Sequence, residues 1–168
     1  MIRVLGIDPG VATTGVAVVE RDGGVLRPIA IGAIRTSSDA ALASRLVTLG
    51  DQLSALIEEH RPAAVAIERL FFNSNVATAI GVAQASGVAI AAAARAGLEV
   101  HEYTPTAVKQ SVVGVGNASK HQVQAMVAAL LALRTPPRPP DAADACALAI
   151  CHINRSGLAA AMAKQVAT

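Results

Sequence analysis

The chain has 168 residues, with 14 basic and 12 acidic side chains, a formal charge of +2, 53% hydrophobic and 15% charged residues. That length suits one domain with a sizeable core, and the composition excludes wholesale disorder. Aromatics are 2% of the chain (Phe71, Phe72 and Tyr103), so Val, Ile, Leu and Ala must fill the interior.

The opening MIRVLGIDPG lacks the basic-then-apolar run of a secretory signal. Its RVLGID, Arg3 to Asp8, reads as a buried strand. GVAVVER, Gly15 to Arg21, reads as a second. Asp22-Gly23-Gly24 is a hairpin turn, and VLRPIAIGAI, Val25 to Ile34, is the return strand. Ser38 or Asp39 is expected to cap a helix. Its apolar positions, Leu42, Leu46, Leu49, Leu53, Leu56 and Ile57, share one face, and His60-Arg61-Pro62 ends it. Ala63 to Glu68 is a short buried strand. Val76 to Ala94 carries no charge and is long enough to span a bilayer. Its Ala, Gly, Thr78, Gln84 and Ser86 argue against lipid, and a helix apolar all round is buried against protein. Leu98 to Tyr103 is a fifth strand. Thr104-Pro105 opens a short helix, Gly114 to Asn117 is a loop, and Ser119 starts another helix. Pro136 to Pro140 is a stiff linker. The last helix begins at Asp141 and fades near Gly157. One domain over 1–156 and a poorly ordered tail over 157–168 are expected. Cys146 and Cys151 stand about 140° apart on a helix, which suits buried free thiols better than a disulfide or a zinc site. A reducing cytoplasm is the expected setting, with no membrane.

Three strands with short connections, then alternating helices and strands, predict a mixed five-stranded sheet. It combines an antiparallel meander with parallel strands, flanked by helices on both faces. This is the element order of the ribonuclease H-like α/β fold.

Four carboxylates stand out against that order. Asp8 ends the first strand and Glu68 the fourth; Asp141 and Asp144 are three apart at a helix start and share a face. Taken singly, Asp8-Pro9-Gly10 is a turn, Glu68 an exposed strand end, and the two helix aspartates caps. Taken together they converge, because the first and fourth strands become neighbours and the last helix can lie beside them. Such a cluster is tolerated mainly around cations, and oxygen donors suit Mg²⁺ or Mn²⁺. Two such ions can promote phosphodiester hydrolysis. The four histidines (60, 101, 121 and 152) show no partner pattern for nucleophilic catalysis.

Several segments then carry a resemblance over nearly the whole chain: LGIDPG at Leu5–Gly10, AIERLFF at Ala66–Phe72, QASGVAI at Gln84–Ile90, VKQSVVGVGNASKHQV at Val108–Val123 and DAADACALAICH at Asp141–His152. The chain resembles the RuvC family of bacterial Holliday junction resolvases. The resemblance implies a homodimer that uses Mg²⁺ or Mn²⁺, with two ions in each subunit. It nicks two opposed strands of a four-way DNA junction, leaves ligatable 5′-phosphate ends, and acts after a branch-migration complex. By position, Asp8, Glu68, Asp141 and Asp144 match the catalytic, metal-binding acids. Lys109 and Lys120 match basic residues near the scissile DNA, and Phe71 an aromatic used against bases. Arg45 matches a family position of less definite role, and Arg69 replaces the more usual Gln. Gly114 and Gly116 offer backbone N–H groups for a phosphate, without a P-loop sequence. The close-packing Gly81, Ala83, Ala85 and Gly87 favour a dimer through the Val76–Ala94 helix. An actin-like phosphotransferase shares the fold but needs a second such domain. A non-catalytic junction-binding module would not need four carboxylates.

Overall fold

The computed structural model describes the backbone of residues 1–69 and 76–166, and the side chains of 1–69 and 79–158. Five strands form one sheet in the order β3-β2-β1-β4-β5. They are β1 (Ile2–Asp8), β2 (Thr13–Asp22), β3 (Val25–Arg35), β4 (Ala64–Glu68) and β5 (Glu99–Tyr103). The first three form the expected antiparallel meander, and β4 and β5 add in parallel. The Asp22–Val25 pair closes the hairpin through Gly23-Gly24, with Gly23 at φ +58°, a conformation that favours glycine. Pro28 lies on β3, an edge strand, beside a bulge opposite Val18 and Val19; there its missing N–H leaves no central ladder bond unmade.

Strand alternation divides the apolar residues between two cores. Leu5, Ile7, Val65 and Ile67 face α1 (Leu42–His60) and α2 (Val76–Arg95), where Leu49, Leu53, Ala85 and Ala89 meet them. Val4, Ala17, Val19 and Ala66 face the other side, with α3 (Pro105–Val113), α4 (Lys120–Leu130) and α5 (Pro140–Val166). The sheet is thus covered on both faces in the ribonuclease H-like arrangement, as the element order predicts.

Local chemistry shifts two boundaries. Helix α1 starts at Leu42 behind Ala41, with no side-chain cap, rather than behind Ser38 or Asp39. Ser37 Oγ accepts from the Asp39 N–H, so this stretch closes a turn of its own before the helix begins. Helix α5 runs on to Val166, well past Gly157. The Ala-, Met-, Lys- and Gln-rich residues there are strong helix formers, enough to carry the helix across one glycine. The other caps are as expected. Thr104 accepts from the Ala107 N–H, and Ser119 and Gln122 form a reciprocal capping box.

Helix α5 lies unusually close to the sheet. A Cβ on Gly6 would overlap the carbonyl oxygen of Ala145, and a Cβ on Gly15 that of Asp141. Opposing these glycines, α5 presents Ala142, Ala145 and Ala149, all fully buried. Small residues on both surfaces let the helix backbone rest on the strand backbone. Gly6→Ala and Gly15→Ala should each destabilise the chain by ~1–3 kcal/mol, the usual cost of overpacking. At about 2–4 °C per kcal/mol for a domain of this size, thermal melting resolves the change. Gly32→Ala, where a Cβ meets open space, is the control and should melt close to the wild type.

Candidate active site

The parallel pairing of β1 with β4 sets Ile7 beside Ile67, so Asp8 and Glu68 are neighbours at the carboxyl ends of adjacent strands. Both share strand parity with Val4 and Ala66, and therefore face α5. Helix α5 begins at Pro140, so Asp141 and Asp144 lie in its first turns. The Asp141 backbone rests on Gly15, and Gly15 pairs with Asp8. The close seat of α5 therefore sets how near its two carboxylates come to the strand ends. All four predicted acids lie at one end of the sheet.

Their fields show the proximity. The Asp8 pKa is pushed up to about 7, first by burial, then by the charges of Asp144, Glu68 and Asp141. Glu68 is raised by burial and by Asp144. Two lysines oppose this. Lys120, at the start of α4, donates from Nζ to Asp144 Oδ2 at 2.7 Å, and that bond raises its own pKa. Lys109, on α3, lowers the pKa of Glu68. Both lysines singled out in the sequence thus stand against the acids, reaching them from the α3–α4 side.

The remaining predicted residues are placed less uniformly. Gly114 ends α3 at φ +93°, and its N–H bonds the Gln110 carbonyl, so its role in the loop is conformational. Gly116 packs against the side chain of Thr106. Arg69 is exposed; its backbone N–H donates to Tyr103 O at 2.8 Å and extends the β4–β5 ladder by one bond. Phe71 and Phe72 lie outside the described residues. Three features went unread in the sequence. Gly6 and Gly15 are glycines inside buried strands, a signal of close backbone approach. His152, buried on α5, has Nδ1 2.8 Å from Tyr103 Oη and its ring 4.3 Å from that of His101. Burial and His101 lower its pKa to about 4. The neutral imidazole shares a hydrogen bond with the phenol, its direction set by the tautomer, and ties the end of β5 to α5. The third is Thr36, whose hydroxyl accepts a hydrogen bond from Arg45.

A family model for the crossover junction endodeoxyribonuclease RuvC matches residues 4–152. The chain belongs to the RuvC family. A relative from Chloroflexus aggregans with that name is 56% identical over 151 residues, covering 90% of this chain and 92% of the relative. Another from Heliobacterium modesticaldum is 55% identical over 148 residues, covering 88% and 91%. The solved structure of Thermus thermophilus RuvC in complex with a Holliday junction substrate superposes with a TM-score of 0.90 at 34% identity, over 95% of this chain and 97% of that one. RuvC chains are nucleases that hydrolyse DNA at crossover junctions and require a divalent metal.

The residues present fit such a metal. Oxygen donors suit a hard divalent cation, and the raised pKa of Asp8 reflects burial and then three neighbouring carboxylates, which Lys120 only partly offsets. Among the described residues, no three His, Cys, Asp or Glu side chains close around one point. Asp144 is paired with Lys120. No helix among the described residues is long and apolar enough to cross a membrane.

The acids should therefore cost stability when no metal is bound. Asp8 has a folded-state pKa near 7, above its ordinary 3.8. Between those values the folded chain holds a proton that the unfolded chain has lost, so stability falls as pH rises through that window. Asp8→Asn removes this dependence. In EDTA the variant should melt higher than the wild type at pH 8, and the gap should shrink at pH 5. Equal melting temperatures at pH 8 would refute the repulsion.

Proposed function

We propose that this RuvC-family chain resolves four-way junctions by symmetric hydrolysis, with Asp8, Glu68, Asp141 and Asp144 holding two Mg²⁺ ions in each subunit. The convergence of four carboxylates from β1, β4 and α5 on one sheet end carries this reading. Mn²⁺ should substitute, since it accepts the same donors. Bound there, the ions supply Lewis acidity to an attacking water and to the leaving oxygen. The new bond is water oxygen to phosphorus; the broken bond is phosphorus to the 3′ oxygen, which leaves a 5′-phosphate. Carboxylate charge sets where the cations sit. Lys120 and Lys109 flank the acids as phosphate contacts, joined by Gly116 and Arg69, with Phe71 against an unpaired base. Gly114 shapes the loop that carries Gly116.

Asp8→Asn, Glu68→Gln, Asp141→Asn and Asp144→Asn should each abolish nicking of a synthetic four-way junction in Mg²⁺ while junction binding persists. The loss should exceed the roughly 10–100-fold typical of residues that only orient a metal ligand. Near-wild-type cleavage by any of them would remove that residue from the metal set. Linear duplex, run in parallel, should be cut poorly.

Two opposed cuts call for two sites related by a two-fold axis, and α2 offers a surface for that symmetry. Its inward face uses Ala85, Ala89, Ala92 and Ala93. Its outward face exposes Ile80, Gly87, Ile90, Ala91 and Ala94, an apolar stripe that one copy can lay against another. A cytoplasmic setting and action after a branch-migration complex accord with the family. Sedimentation at micromolar concentration should give a dimer, and Ile80→Asp with Ile90→Asp should give a folded monomer. A wild-type monomer would overturn the dimer.

A further inference from the structure

A hydrogen-bonded chain at the opposite edge of the site has no part in the carboxylate cluster. Thr36 directly follows β3 at the same sheet end as Asp8, because Thr13 pairs with Arg35 and Gly15 with Asp8. Its N–H donates to Ala12 O at 3.2 Å, and its hydroxyl donates to Val11 O at 2.5 Å. The Thr36 hydroxyl oxygen also accepts from Arg45 Nε at 2.8 Å. Thr36 thereby joins the first turn of α1 to the loop that leaves Asp8.

Arg45 is half-buried, and among the described residues no carboxylate forms an ion pair with it. Only its Nε is engaged there; the two terminal nitrogens make no hydrogen bond within the described fold. A partly buried cation without a counter-charge costs free energy. A guanidinium held at Nε presents a fixed fork that matches two oxygens of a phosphate. Lys109 and Lys120 approach from α3 and α4 on the α5 face of the sheet, whereas Arg45 belongs to α1 on the other face and bonds Thr36 at the end of β3. A DNA strand laid across the strand ends meets cations on both sides of the acids.

We propose that Arg45 is a fork for a DNA backbone phosphate, and that Thr36 positions it relative to the Asp8 loop. The assignment rests on the junction-cutting reading above. Three full-length variants test it on a synthetic four-way junction. Binding is read across salt concentrations in EDTA, and cleavage in Mg²⁺. Arg45→Gln should melt like the wild type and bind with a salt slope shallower by ~0.9, one phosphate contact. Arg45→Lys should regain the slope but cleave slowly, since lysine keeps the charge and loses the fork. Thr36→Val should keep the slope and lower kcat with little change in KM. A wild-type slope in Arg45→Gln overturns the proposal. So does early melting of Arg45→Gln that Arg45→Lys repairs together with cleavage, at an unchanged slope, because Arg45 would then be a structural tie. A wild type that binds junctions but never nicks them overturns the functional reading instead, and the slope still decides Arg45.

Discussion

The site depends on a backbone contact. Helix α5 rests on β1 and β2 at Gly6 and Gly15, where no side chain fits between helix carbonyl and strand. Helix–sheet packing through ordinary side chains would hold the helix several ångströms farther away. Asp141 and Asp144 would then stand too far from Asp8 and Glu68 for the proposed sharing of cations. The alanines along α5 serve the same end. Ala142, Ala145 and Ala149 are fully buried, yet they contribute little apolar area each. This surface sacrifices bulk for proximity.

That proximity opposes stability. Burial and three neighbouring charges push the Asp8 pKa to about 7, and among the described residues Lys120 and Lys109 act against the cluster. The rest of the molecule compensates with neutral packing. Leu5, Ile7, Leu49, Leu53, Val65 and Ile67 form a dense aliphatic core on the far face of the sheet. Arg3 adds a tie at the other end of β1, bonding Glu20 Oε2 twice and the His60 carbonyl once. Tyr103 and His152 join the edge strand to α5 without adding a charge. A site that repels itself is held by elements whose own interactions owe nothing to that site.

The charge layout also has a direction. Acids sit at the centre of one sheet end, with lysines from α3 and α4 on one side and Arg45 on the other. Net charge conceals this, since +2 over 168 residues says nothing of where the cations stand. Helix α2 lies on the opposite face of the sheet from α5, so the apolar stripe proposed for pairing is separated from the proposed metal site. Two subunits can join through α2 and leave both carboxylate clusters open.

The sequence by itself determined the strand and helix order, because periods of 2 and 3.6 are local properties of apolar spacing. It also named the four acids, as each stands at the end of a strongly patterned element. Boundaries set by local polar bonds were less legible. The Ser37 turn delays α1 to Leu42, and good helix formers carry α5 past Gly157. Tertiary structure alone decided the rest. That Gly6 and Gly15 lie beneath one helix depends on strands and helix more than a hundred residues apart in the chain. That Tyr103 meets His152, or Thr36 meets Arg45 and Val11, follows from no spacing in the sequence. Such contacts form only after the chain has folded, since the groups that make them belong to elements that no local pattern links.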